Sequence, residues 1–386
     1  MKRVLFIQPS LNAVGGIEKV VPTVASGLAD AGYAVFATTF YDEIPTEQTF
    51  WSGRFEGNET LTFGLWRKLV KIWRRARRIR QVIKEADIDY VVVSAQGAIV
   101  TVLLLRAFRL IKVPVIAYIH EARSDGGRWY RWLTGVFYPM ADGWIGVSAG
   151  ICDEIKRLPG MSKKKVVLAY NAVAETPISQ EALVEAERMT AELPRPIFIN
   201  AGRFELTKGS DVLVKSFLDY AVNHQGTLLM LGTGSLESEL KATVRRANFQ
   251  SRVRFLGRVD HPLAYMARSD LYVSGARSEP FGLALVEALS VGLPVVATDV
   301  PSGPSEILSP NVIPRQYPFR AAYGVLMAPP QKDISANTRS FAEAVELALR
   351  TSYDAELLKG RARAFSRHEQ LTAIKDLLET ARFKRI

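Results

Sequence analysis

Two glutamates eight positions apart bracket an apolar run, E-P-F-G-L-A-L-V-E from Glu279 to Glu287. A carboxylate set among leucine and valine needs a reason, because an unpaired charge is costly to take out of water. The run from Gly282 reads as a buried helix stopped at Gly292-Leu293-Pro294. Glu279 then lies just outside its start and Glu287 in its second turn, about 8 Å along the axis at 1.5 Å per residue. The N–H groups of Phe281, Gly282 and Leu283 fall between the two carboxylates, because the first turn of a helix leaves its donors without internal partners. Donors flanked by acceptors suit a polyhydroxylated ligand. Each glutamate also has a plainer reading: Glu279 as a partner of the helix dipole, Glu287 as half of an exposed salt bridge.

Other loops carry cations and glycines. In A-G-R-F-E-L-T-K-G-S-D, Arg203 and Lys208 stand five apart beside Gly202 and Gly209, at the entry to a helix. Two cations, glycines and a helix N-terminus suit a diphosphate, although two solvated surface cations would read the same way. Near the start, Gly15 and Gly16 in A-V-G-G-I-E open a helix from Ile17. They let a backbone approach an anion or simply make a tight turn, and the dinucleotide pattern G-x-G-x-x-G is absent. His120 follows a strand in Y-I-H-E-A, a place where a lone histidine is more often structural, and only a further signal would assign it a hydrogen bond to a ligand. His224, His261 and His368 read as surface or structural residues.

Groups so dispersed need a scaffold that gathers them. Short apolar strands alternate with amphipathic helices twice over: 3–7, 34–39, 90–93, 113–119 and 143–147, then 196–201, 227–231, 253–256, 271–274 and 294–298. The pattern predicts an α/β chain with a doubly wound parallel sheet in each half, and ligands at the carboxyl ends of the strands. Residues 174–195 lack a strand and read as a linker with a solvated helix, which places the domain boundary there.

The 386 residues are 48% hydrophobic and 23% charged, which suits two folded domains and excludes a disordered chain. Cys152 is the only cysteine, so no internal disulfide forms. Gln8, Pro9 and Asn12 break the first apolar run short of a signal sequence, and the apolar stretch 91–105 is too short to cross a bilayer. A cytoplasmic location is expected. The net charge of +11 favours an anionic partner. Much of it lies in W-R-K-L-V-K-I-W-R-R-A-R-R-I-R-Q-V-I-K over 66–84, where Trp66, Leu69, Val70, Trp73, Ala76, Ile79 and Ile83 would form one apolar stripe. That helix fits an anionic membrane surface or a core-packed position with a basic outer face. No recognition motif accompanies the charge, so nucleic acid is not an expected partner.

Taken together, G-G-I-E, V-S-A-G-I followed by Y-N-A-V, G-R-F-E-L-T-K-G-S-D, E-P-F-G-L-A-L-V-E, G-L-P-V-V-A-T-D and P-S-G-P-S-E-I-L come in the order seen in the family 4 glycosyltransferases, which the chain resembles along nearly its whole length. The resemblance implies the GT-B fold: two Rossmann-like domains facing a cleft, an acceptor-side domain over 1–175 and a nucleotide-sugar domain over 190–369, with a C-terminal helix near 370–386 packed back on the first. It further implies sugar transfer with retention from a nucleotide-diphosphate donor, a UDP-sugar, with no metal or other cofactor. Arg203 and Lys208 match the pair that neutralises the donor diphosphate, Glu279 the residue at the donor sugar, and Glu287 the residue at the ribose. Phe281, Gly282 and Leu283 offer amides to sugar and phosphate, Gly15 and Gly16 match the glycine loop over the phosphates, and His120 takes the histidine position. Asn171-Ala172-Val173 and Glu121 depart from common forms and leave the acceptor open between a lipid-linked oligosaccharide and a surface polysaccharide. A peripheral position on the inner face of the cytoplasmic membrane would follow. The rival readings are a phosphorylase or epimerase of the same fold, and a catalytically silent scaffold that binds sugar nucleotide or membrane.

Overall fold

The structure, a computed structural model, describes residues 1–9, 16–40, 50–55, 65–121, 127–161, 165–173 and 177–380. Two compact units emerge, Met1–Ala172 with Arg367–Ile386, and Val173–Ser366. Each holds a seven-stranded sheet.

In the first unit the strands are β1 (Arg3–Gln8), β2 (Ala34–Thr39), β3 (Gly53–Phe55), β4 (Tyr90–Ser94), β5 (Val115–Ile119), β6 (Gly143–Gly146) and β7 (Lys165–Leu168), in the spatial order β3-β2-β1-β4-β5-β6-β7. All pairs are parallel, with Val4 in register with Val35 on one side and Tyr90 on the other. β-Branched runs such as Val91-Val92-Val93 are buried on both faces, as a parallel sheet covered by helices requires. The steps from β3 to β4, β4 to β5 and β5 to β6 all run the same way across the sheet. Because such crossovers share one hand, their helices Leu65–Glu85, Gln96–Ala107 and Gly127–Phe137 lie on one face. The helix Arg367–Thr380 is tied into this unit by Arg367 to Ser26 and Asp30, and by Gln370 to the Tyr118 hydroxyl at 2.9 Å.

The second unit contains β8 (Ile197–Ala201), β9 (Thr227–Leu231), β10 (Val253–Gly257), β11 (Leu271–Ser274), β12 (Val295–Thr298), β13 (Phe319–Ala321) and β14 (Gly324–Met327), ordered β10-β9-β8-β11-β12-β14-β13. Only β13, at the edge, runs antiparallel to its neighbour. Phe198, Phe217, Met230, Val273, Phe341 and Val345 fill the core between the sheet and the helices Ser210–Asn223 and Ile334–Arg350. From β8 the chain crosses to β9 in one direction, whereas from β10 it returns to β11 on β8's other side. The chain therefore leaves β8 and β11 in opposite directions, and the point between their carboxyl ends is the switch point at which such sheets bind ligands.

Three sequence expectations change. The stripe over 66–83 is rotated: Ala76, Ile79 and Val82 are buried, whereas Val70 and Trp73 are exposed, and the side chains of Trp66 and Leu69 lie outside the described residues. The helix of the linker, Gln180–Thr190, is not simply solvated, since Ala182, Ala186 and Thr190 are buried. β3, β7, β13 and β14 add to the ten expected strands. β3 and β7 occupy the two edges of the first sheet, and β7 shows no fully buried residue that would have marked it in the sequence.

One buried ion pair holds the first sheet to its helices. Arg106, 3% exposed, donates to Asp142 Oδ1 at 2.9 Å and to the carbonyls of Ile111 and Val113, while Asp142 Oδ2 accepts from the Val115 N–H at 2.8 Å. Removing one partner of such a pair strands the other charge in the interior. Asp142→Ala should therefore destabilise the fold by about 3 kcal/mol or more, read as a lowered midpoint in urea; a shift near zero would mean the pair carries nothing.

Candidate active site

The switch point of the second unit is built by three loops. The first, after β8, runs through Arg203 to a 3₁₀ turn at Leu206–Lys208 and enters the helix from Ser210. Gly209 joins turn and helix at φ +62°, and a Cβ there would fall onto the carbonyl oxygen of Gly275, so two backbones meet where no side chain fits. The second loop, after β11, carries Arg277 and Glu279 to the helix Leu283–Ser290. The third follows β12, and its Gly303, at φ +72°, abuts the carbonyls of Glu279 and Phe281.

Polar contacts fix these loops to one another. The N–H groups of Arg277 and Ser278 donate to the Thr207 carbonyl at 2.9 and 3.1 Å. The Arg277 guanidinium grips Asp211 in two bonds of 2.6 and 2.8 Å and also donates to the Leu206 carbonyl. Burial opposes ionisation of Asp211, but this bidentate pair outweighs it and holds the carboxyl below its usual range. Asn200 donates from β8 to the Val273 carbonyl on β11 at 2.8 Å, and Thr298 from β12 to the Ala276 carbonyl at 2.6 Å.

At the centre, Lys208 Nζ lies 2.7 Å from Glu279 Oε2, with the side chains 29% and 14% exposed. Arg203 is exposed, and its guanidinium makes no ion pair among the described residues. Glu279 therefore occupies one of the two candidate cations and leaves the other open. Phe281 is buried, its ring 5.4 Å from that of Phe365, and Gly282 caps the helix in which Leu283 is first and Glu287 lies in the second turn, half-buried. Tyr272, on β11, sits buried within the field of both glutamates and donates to the Ala201 carbonyl at 3.2 Å. Burial first, and then the charge of Glu279, push its phenol far above the ordinary range, so it remains a neutral donor. Arg203, Lys208, Glu279, Phe281, Gly282, Leu283 and Glu287 are thus carried by the loops after β8 and β11 and the first two turns of the helix Leu283–Ser290.

Sequence reasoning did not single out Asn200, Asp211, Tyr272, Arg277 or Thr298. The signal available was polarity in the wrong place: Asn200 and Thr298 interrupt strands that are otherwise apolar.

His120 belongs to the first unit, directly after β5. It is buried, its ring centroid 4.1 Å from that of Tyr118, and neither ring nitrogen has a hydrogen-bond partner among the described residues. Burial pushes its pKa down to about 3, so the imidazole is neutral at physiological pH. Gly16 begins the helix Gly16–Asp30, and Gly15 lies outside the described residues.

The architecture of two parallel-sheet α/β units is that of the GT-B fold. The crystal structure of HepE from Anabaena, in complex with UDP and glucose, matches with a TM-score of 0.75 at 19% identity over 98% of this chain and 100% of the other. The family model for glycosyl transferases group 1 matches residues 185–357, and that for glycosyltransferase family 4 matches residues 14–176. The chain belongs to the family 4 glycosyltransferases. An uncharacterized glycosyltransferase of Methanocaldococcus jannaschii is 34% identical over 137 residues, 34% of each chain. The N-acetylgalactosamine-N,N'-diacetylbacillosaminyl-diphospho-undecaprenol 4-alpha-N-acetylgalactosaminyltransferase of Campylobacter jejuni is 28% identical over 177 residues, 46% of this chain and 47% of that one. The matched segments thus span a third to a half of these two relatives.

The neutral His120 has a consequence for acid stability. Between about pH 6.5 and 3 the unfolded chain binds a proton on this imidazole that the folded chain refuses, so stability falls as the pH falls. The slope is roughly 1.4 kcal/mol per pH unit within that window. Thermal melts from pH 4 to 7 should show His120→Phe losing less stability on acidification than the parent; parallel curves would contradict the burial argument.

Proposed function

We propose that the protein is a retaining glycosyltransferase that takes a sugar from a nucleotide-diphosphate donor, a UDP-sugar, and passes it to a lipid-linked oligosaccharide or surface-polysaccharide acceptor. The observation that carries this reading is the Lys208–Glu279 pair at the switch point between β8 and β11, with Arg203 in the same loop and a helix start beside it. The UDP and glucose in the Anabaena structure and the diphospho-undecaprenol acceptor named for the Campylobacter relative support the donor and acceptor classes.

Breaking the glycosidic bond leaves negative charge on the departing diphosphate, and cations held in place stabilise that charge most effectively where water is partly excluded. Arg203 and Lys208 take this role, so the site has no need of a metal or other cofactor. Glu279 accepts hydrogen bonds from the donor sugar hydroxyls and Glu287 from the ribose. The amides of Phe281, Gly282 and Leu283 face sugar and phosphate, and Gly15 and Gly16 close over the phosphates. His120, neutral and buried with neither ring nitrogen hydrogen-bonded among the described residues, hydrogen-bonds donor sugar or acceptor. Attack from the leaving-group face, with a donor phosphate oxygen receiving the acceptor proton, retains the anomeric configuration. The two glutamates therefore grip and orient, and do not form the nucleophile and acid of a double displacement.

Because Glu279 competes with the diphosphate for Lys208, Glu279→Gln should bind UDP at least as tightly as the parent while transfer falls about 100-fold. Lys208→Ala should weaken UDP about 10-fold or more through loss of a charge-assisted bond, and Glu287→Ala should weaken nucleotide binding. Calorimetry with UDP and a transfer assay with UDP-sugars separate the two effects. Full transfer by Glu279→Gln would overturn its assigned role, and UDP binding without any transfer by the parent would make the protein a scaffold.

A further inference from the structure

The basic helix Leu65–Glu85 does not spend its apolar residues as a single stripe. Ala76, Ile79 and Val82 face the sheet, so the helix is docked without help from Trp73 or Val70. Trp73 is 61% exposed and Val70 46%, and with Arg74 and Arg77 they recur at steps of three and four along the outward face. The Arg77 guanidinium lies over the Trp73 ring at 5.7 Å. Arg75 instead covers Phe40 at 4.2 Å and belongs to the packing of the fold.

A second helix repeats the combination. In Gly127–Phe137, Arg128, Trp132 and Val136 are spaced by four and all exposed, Trp132 at 57%. Trp73 and Trp132 are the large exposed indoles among the described residues. The helix Gln96–Ala107 packs against both of these helices, and its Val100 and Leu104 are half-buried. All three lie in one layer on one face of the sheet, so their outward stripes face the same way. Helices of such crossovers run opposite to the strands. The first half of each therefore lies toward the carboxyl ends of the strands, the end that carries His120.

We propose that Trp73 with Val70, Arg74 and Arg77, together with Trp132, Val136 and Arg128, form one docking surface for an anionic lipid bilayer. Exposed tryptophans seat at the headgroup boundary and guanidinium groups pair with anionic headgroups, a combination that fits a bilayer in both chemistry and charge. Valines at the same surface favour an apolar phase over nucleic acid, which offers none. The surface deepens the reading of a lipid-linked acceptor and rests on it, because it would hold the first unit at the plane from which such an acceptor rises.

Sedimentation with phosphatidylglycerol-containing vesicles and with pure phosphatidylcholine vesicles tests the surface, using the full chain and the variants Trp73→Ala, Trp132→Ala, the double tryptophan variant, and Arg74→Glu with Arg77→Glu. The parent should pellet with the anionic vesicles and be released by about 1 M salt. Each tryptophan variant should lose partitioning, the double variant about 10-fold or more, and the charge-reversed variant should stay in solution. The thermal shift that UDP gives should be the same in all of them, which shows that each has folded. A parent that stays in solution with anionic vesicles would overturn the proposal, as would a Trp132→Ala variant that pellets like the parent. Retention of the tryptophan variants on vesicles, with equal retention of the parent on RNA, would likewise overturn it in favour of unspecific polyanion binding. Failure of any of these with the UDP shift intact leaves the donor site standing, whereas a parent without a UDP shift undermines the donor reading itself.

Discussion

Strands β8 and β11 lie side by side, yet the chain leaves them by crossovers that run in opposite directions, and the placing of Lys208 and Glu279 follows from that arrangement. A parallel sheet with a single direction of winding would cover every strand end with its own connection. Reversal sets the two loops side by side at the switch point, and Lys208 from one meets Glu279 from the other at 2.7 Å. The pair holds a cation and an acceptor in a partly screened place, where water neither dissolves the interaction nor is fully excluded. Asp211 and Arg277 staple the same two loops a few residues away. Backbone meets backbone at Gly209 and Gly303, so the three loops pack on one another where no side chain would fit.

Much of this was legible in the sequence because the relevant signals are local. Alternating strands and helices announced the two parallel sheets, and glycines beside cations marked the loops. Glu279 and Glu287 were conspicuous for being charged where their neighbours are apolar. What the sequence could not supply was partnership. Lys208 and Glu279 are 71 positions apart, and nothing in either segment names the other. Tyr272 and Asn200 were passed over because each reads as an ordinary strand residue until the neighbouring strand is in place. The edge strands β3 and β7 escaped notice for a related reason: short edge strands bury little, so they lack the apolar run that identifies a central one.

The helix Leu65–Glu85 shows the same limit in another form. Its charge was plain, but residues in a cationic helix recur at helical spacing on more than one face. The buried line through Ala76, Ile79 and Val82 became separable from the exposed line through Val70 and Trp73 only once the sheet showed which side it covers. The core-packed reading then holds for the buried face, and the membrane reading is the proposal for the exposed one. His120, left by the sequence between a ligand hydrogen bond and a structural role, proves buried and neutral, with neither ring nitrogen hydrogen-bonded among the described residues.

The central claim is that the Lys208–Glu279 pair is the resting state of a diphosphate site, and a crystal structure with UDP bound addresses it most directly. The account predicts that Lys208 Nζ leaves Glu279 for a diphosphate oxygen, that Arg203 folds onto the same group, and that the freed Glu279 carboxylate faces the position of the donor sugar. UDP bound elsewhere, or bound there with the 2.7 Å pair unbroken, would contradict it.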